Sequence, residues 1–107
     1  MLPLVAALLM SAFALAAQAT DRLPWKKPGE VLEYHACGCA DSCWVAEVRN
    51  ARSRALKGRL RCDCEQLHAT LGPRGAERVY APSCLAINDS ADKSQSIRET
   101  LERLLQR

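Results

Sequence analysis

The chain has 107 residues, six of them cysteine, and its fifteen Lys and Arg exceed its twelve Asp and Glu by a formal +3. That length accommodates one domain, and the charge excess is too small by itself to imply a nucleic-acid partner. No H-E-x-x-H, glycine-rich phosphate loop or G-x-S-x-G elbow frames a reaction.

Residues 1–19 carry no charged side chain, run apolar from Leu4 to Ala17 and end in Ala17-Gln18-Ala19. An A-x-A ending after an apolar stretch predicts a signal peptide cleaved before Thr20. The run is shorter than the roughly 20 apolar residues that span a bilayer, so stable membrane insertion is not expected. The n-region lacks Lys and Arg, leaving the terminal amine as its positive charge. The first cysteine is Cys37, which excludes a lipoprotein anchor at the cleavage point. The expected destination is extracytoplasmic, periplasm or secreted. What remains is small enough to be marginal on its core alone, so a covalent or metallic staple is expected.

Residues 20–29 (TDRLPWKKPG) hold two prolines and a terminal glycine and read as an extended N-terminal arm, with Trp25 pinning it to the domain at 30–107. Residues 31–37 alternate as a strand, with Leu32, Tyr34 and Ala36 on one face. Residues 43–49 repeat the pattern with Trp44, Ala46 and Val48, and residues 59–64 do so with Leu60, Cys62 and Cys64. Residues 65–71 fit a short helix, capped through Asp63 and Gln66 and stopped by Gly72-Pro73, or a strand before a hairpin turn. The helix is the preferred reading. From Ser94 to Arg107, Ile97, Leu101, Leu104 and Leu105 form one apolar stripe, with Ser90 or Ser94 as the expected cap. The fold class is therefore α+β: a small disulfide-stapled domain in which a C-terminal amphipathic helix packs on an antiparallel sheet of three to four strands.

The cysteines fall as Cys37-x-Cys39, Cys43, Cys62-x-Cys64 and Cys84. An even number in a short exported chain predicts disulfides. Alternate strand residues share a face, so the two C-x-C units are expected to join as parallel rungs, leaving Cys43 to pair with Cys84. His35 beside Cys37 and Cys39, and His68 beside Cys62 and Cys64, compose the alternative, a copper or zinc site of soft thiolate and imidazole donors. A thiol redox protein using one C-x-C pair is the third reading and requires an exposed thiol of lowered pKa.

Arg49, Arg52, Arg54, Lys57, Arg59 and Arg61 lie within a stretch containing no acid. Such a cluster can contact an exported acidic protein or an anionic surface, or can simply solvate a hairpin. No aromatic residue is interleaved, which speaks against single-stranded nucleic acid. Ser42, Ser53 and Ser83 with His35 and His68 lack any triad signature. The leading reading is a non-enzymatic exported binding protein without cofactor, using the basic hairpin as its contact surface. In size, export and cysteine use the chain is similar to small exported inhibitors and immunity proteins, with no diagnostic motif of either.

Overall fold

The computed structural model describes residues 20–107; the expected signal peptide lies outside the described residues. Six antiparallel strands form one sheet in chain order: β1 (Asp21–Leu23), β2 (Glu30–Gly38), β3 (Cys43–Asn50), β4 (Leu56–Asp63), β5 (Leu67–Leu71) and β6 (Arg78–Ala81). A single turn of helix, α1 (Leu85–Asn88), and the amphipathic α2 (Lys93–Leu104) follow. The domain is α+β as expected, but its sheet has six strands rather than three to four. The extra strands come from the arm, from residues 67–71 and from Arg78–Ala81.

The period-2 alternation of the central strands sets the two faces of the sheet. Leu32, Trp44, Ala46, Val48, Leu60, Cys62, Leu67 and Ala69 point inward and are almost completely buried. They meet Ile87 of α1 and Ile97, Leu101 and Leu104 of α2 in one core. The opposite face has no helix over it. Trp44 is central: its ring is fully buried, and its indole N–H donates to Asn88 Oδ1 at 2.8 Å, fastening α1 to β3.

Asp92, rather than Ser90 or Ser94, caps α2, its carboxylate accepting from the Gln95 N–H at 3.0 Å. Ser90 instead meets Ser96 through their hydroxyls at 2.9 Å. The backbone at Gly58 passes close beneath the end of α2, where a Cβ would stand 3.0 Å from Leu105 Cδ2.

Residues 65–71, expected as a helix, are a turn followed by β5. The expected capping side chain works as foreseen, but on a turn. Asp63 Oδ1 accepts from the N–H groups of Glu65 at 3.0 Å and Gln66 at 2.7 Å, while the Gln66 carbonyl closes back onto the Asp63 N–H. The segment holds too few residues for a stable isolated helix. As a strand it places Leu67 and Ala69 in the core and pairs its backbone with both β4 and β6. The loop after β5 turns at Gly72 and Gly75; at Gly75 a Cβ would fall 2.0 Å from the Leu71 carbonyl oxygen, so only glycine fits.

The arm contributes β1, paired with β2 from Asp21↔Tyr34 to Leu23↔Leu32. Trp25 packs against the core edge and donates its indole N–H to Glu30 Oε1 at 3.1 Å, and the Arg107 guanidinium pairs with the same carboxylate. Burial raises the Glu30 pKa, but the hydrogen bonds from Arg107 and Trp25 outweigh it and leave the group below the usual carboxylate value. Both ends of the domain are thus tied at one carboxylate.

All six cysteines are in disulfides: Cys37–Cys43, Cys39–Cys64 and Cys62–Cys84. The expected pairing, two rungs between the C-x-C units plus Cys43–Cys84, is replaced by one rung and two other bridges. The reason lies in where the strands end. β2 stops at Gly38 and β4 at Asp63, so each C-x-C unit straddles a strand terminus and its two sulfurs do not share a face. Cys62 is inward and buried and reaches Cys84 at the start of α1, whereas Cys64, at φ 85° in the turn, meets Cys39. Three disulfides are consistent with an oxidising, extracytoplasmic environment.

Candidate functional site

The open face of the sheet gathers the basic residues singled out in the sequence. Arg49 ends β3, Arg52 and Arg54 lie in the β3–β4 turn, and Lys57, Arg59 and Arg61 alternate outward along β4. The turn is shaped by Asn50, whose Oδ1 accepts from the Arg52 N–H at 2.9 Å and the Ser53 N–H at 3.0 Å. It closes through Arg54 in the left-handed region at φ 64°.

Sheet register supplies what the local sequence lacks, namely acids. Glu33↔Glu47↔Arg59 stand side by side on β2, β3 and β4. Glu47 Oε2 accepts from Arg49 Nη2 at 2.7 Å and from Arg59 Nε and Nη2 at 3.0 and 2.8 Å. Glu33 pairs with Arg54 and lies 4.0 Å from Arg49 Nε. Glu77, in the loop before β6, takes a two-pronged contact from Arg61, 3.0 Å to Nε and 2.5 Å to Nη2.

That fork holds the Glu77 carboxyl below its ordinary pKa and raises the Arg61 guanidinium. Four of the six cations therefore sit in a cross-strand lattice with three glutamates that sequence reasoning did not single out. Arg52 and Lys57 have no carboxylate within ion-pair distance among the described residues. The available signal for the glutamates was the strand alternation itself, which puts Glu33 and Glu47 on the face opposite Leu32 and Trp44.

Exposed pairs of this kind contribute little to stability. Their effect is orientation: each arginine keeps guanidinium N–H groups beyond those its glutamate engages, held in a fixed direction on a flat face.

His68 lies at the end of this lattice. Its Nε2 meets Asp63 Oδ2 at 2.7 Å and its Nδ1 lies 3.7 Å from Glu77 Oε1. The His68 contact, followed by the Gln66 and Glu65 N–H groups, lowers the Asp63 carboxyl to about 2. Both ring nitrogens thus face carboxylates, and no hydroxyl or thiol is bonded to either. Ser53 and Ser83 spend their hydroxyls on the Ala55 and Leu85 N–H groups. His35 is outward on β2 opposite Val45, in the same sheet row as His68 but with β3 and β4 between them. Cys37, Cys39, Cys62 and Cys64, the thiolates of the copper or zinc alternative, are held in bridges. Among the described residues no group of three or more His, Cys, Asp and Glu is placed to hold a metal ion. No helix among them is long and apolar enough to cross a membrane.

Comparison of the chain with protein-family models, with curated proteins and with solved structures finds no match in any of the three.

Proposed function

We propose that the chain acts outside the cytoplasm as a small non-enzymatic binding protein of the inhibitor or immunity kind. Its contact surface is the open sheet face around the β3–β4 hairpin, and its partner is an exported protein presenting carboxylates. The observation that supports this reading is the flat, helix-free face on which Glu33, Glu47 and Glu77 orient four arginines, with Arg52 and Lys57 open beside them. A lattice of this design binds through complementary charge and fixes register, giving fast, salt-sensitive association. The periplasm is the compartment this role implies, given the three disulfides and the expected signal at residues 1–19.

The test reverses charge where no internal pair is broken. The Arg52→Glu, Lys57→Glu double variant should fold like the parent, since neither side chain takes part in the lattice. Partners captured by the parent from an exported-protein fraction should be lost by the variant and by the parent in high salt. Retention of every partner by the variant refutes the proposed surface.

A further inference from the structure

A second site of opposite sign lies at the other end of the sheet. The β3–β4 hairpin sits at the Asn50 end of β3, and the eight residues of β3 carry the chain about 24 Å away to Cys43. There the inner edge of the sheet, the turn after β2 and the junction of α1 and α2 enclose an open cleft of about 770 Å³. Asp21 of β1, Asp41 of the turn and Asp89 at the end of α1 line it, with Tyr34, Asn88 and Lys93.

The position of Asp41 is built. Cys39, Ala40 and Asp41 take left-handed φ of 52°, 49° and 72°, three non-glycine residues in succession. Such a run persists only where its surroundings impose it. Here Cys37–Cys43 and Cys39–Cys64 clamp it on both sides.

The cleft already shows which chemistry it accepts. The ammonium of Lys93 stands 5.7 Å from the ring centres of both Tyr34 and Trp44 and donates to the Asp41 carbonyl at 2.6 Å. A cation over two aromatic rings is held by their negative faces. The platform is rigid, since Trp44 is buried and tied to Asn88, and Asn88 Nδ2 contacts Cys62 Sγ at 3.8 Å. Lys93 is satisfied by a carbonyl and two rings, so it neutralises none of the rim. Among the described residues Asp21, Asp41 and Asp89 make no ion pair, on a chain whose net charge is +3. The Asp92 carboxylate at the cap of α2 offsets the positive end of that helix. The three carboxylates come from three elements and do not converge on a point, as a metal ion would require.

We infer that this cleft binds an extended organic cation, an ammonium or guanidinium group that reaches the Tyr34 and Trp44 platform while the rim aspartates hold its charge. The group is either a free polyamine or the basic side chain of a peptide. The site is separate from the basic hairpin, and neither stands or falls with the other.

The experiment follows the Trp44 indole N–H and the Asp41 and Asp89 amides by NMR in the full disulfide-bonded domain. One titration uses spermidine and a second an end-blocked lysyl-arginyl peptide, each matched for ionic strength with sodium chloride. Saturable shifts at these three positions are expected with at least one probe. Saturation by spermidine alone assigns a free amine, and saturation by the peptide alone assigns a protein side chain. The Asp41→Asn, Asp89→Asn double variant, isosteric and exposed, should weaken binding by about tenfold. Removing the resident ammonium with Lys93→Gln should tighten it by roughly two- to fivefold. Shifts reproduced by sodium chloride, saturation by neither probe, or loss of binding in Lys93→Gln would each overturn the assignment.

Discussion

Replacing Cys62 and Cys84 together by alanine removes the one bridge that is sealed from solvent, with the two residues 0% and 1% exposed. The bridge spans 22 residues, and the loop-closure entropy it withholds from the unfolded chain is about 3.4 kcal/mol. Two sulfurs would also leave a core packed between β4 and α1, adding about 1 kcal/mol each as lost contact and cavity. The expected loss is therefore about 5 kcal/mol, comparable with the whole stability of many small domains. Cys37–Cys43 makes the contrast. Its separation is 6 residues, for an entropic contribution of about 2.2 kcal/mol. Cys37 is exposed, and opening this bridge relaxes the left-handed run at residues 39–41. The Cys37→Ala, Cys43→Ala variant should lose about 2 kcal/mol or less. Equilibrium urea unfolding followed by tryptophan fluorescence separates the two. At a slope of about 1.5 kcal/mol/M the midpoints should differ by about 2 M. An unfolded Cys62→Ala, Cys84→Ala protein beside a folded Cys37→Ala, Cys43→Ala protein points the same way. Equal losses in the two variants would refute the view that burial and loop length rank these bridges.

Two further outcomes follow from single side chains. The Asp63 carboxyl titrates near 2 in the folded chain, below its ordinary 3.8, so the stability linked to its charge is complete above about pH 4 and is lost as the pH falls through 2. Asp63→Asn keeps the turn acceptor but not the charge, and its melting temperature should fall less steeply between pH 4 and 2 than the parent's; an identical acid limb would remove Asp63 from the account. Thr70 is 5% exposed and its hydroxyl has no hydrogen-bond partner, so Thr70→Val should stabilise the domain by about 1 kcal/mol, read as a higher urea midpoint, and a destabilised variant would show that the hydroxyl is satisfied in solution.

Where local pattern and burial agreed, the amino-acid sequence alone determined the result. Leu32, then Trp44, Ala46 and Val48, then Leu60 and Cys62 alternate as strands and are buried on one face. Ile97, Leu101 and Leu104 form the helical stripe that covers them. Both patterns arise within a few residues and need no distant partner to be read. Tertiary structure decided whatever depended on such a partner. Residues 67–71 became a strand because β4 and β6 offered backbone pairing and the core accepted Leu67 and Ala69.

The cysteine pairing followed strand ends that spacing does not reveal. Cys62 turned to Cys84 because its face of the sheet lies against α1, and only Cys39–Cys64 joins the two C-x-C units. The arginines, acid-free along the chain, met Glu33, Glu47 and Glu77 across the sheet. Asp21, Asp41 and Asp89 came together around Tyr34 and Lys93 from separate elements. Charge along a chain is a local property; charge on a surface depends on register, and register is set by the packing of the whole domain.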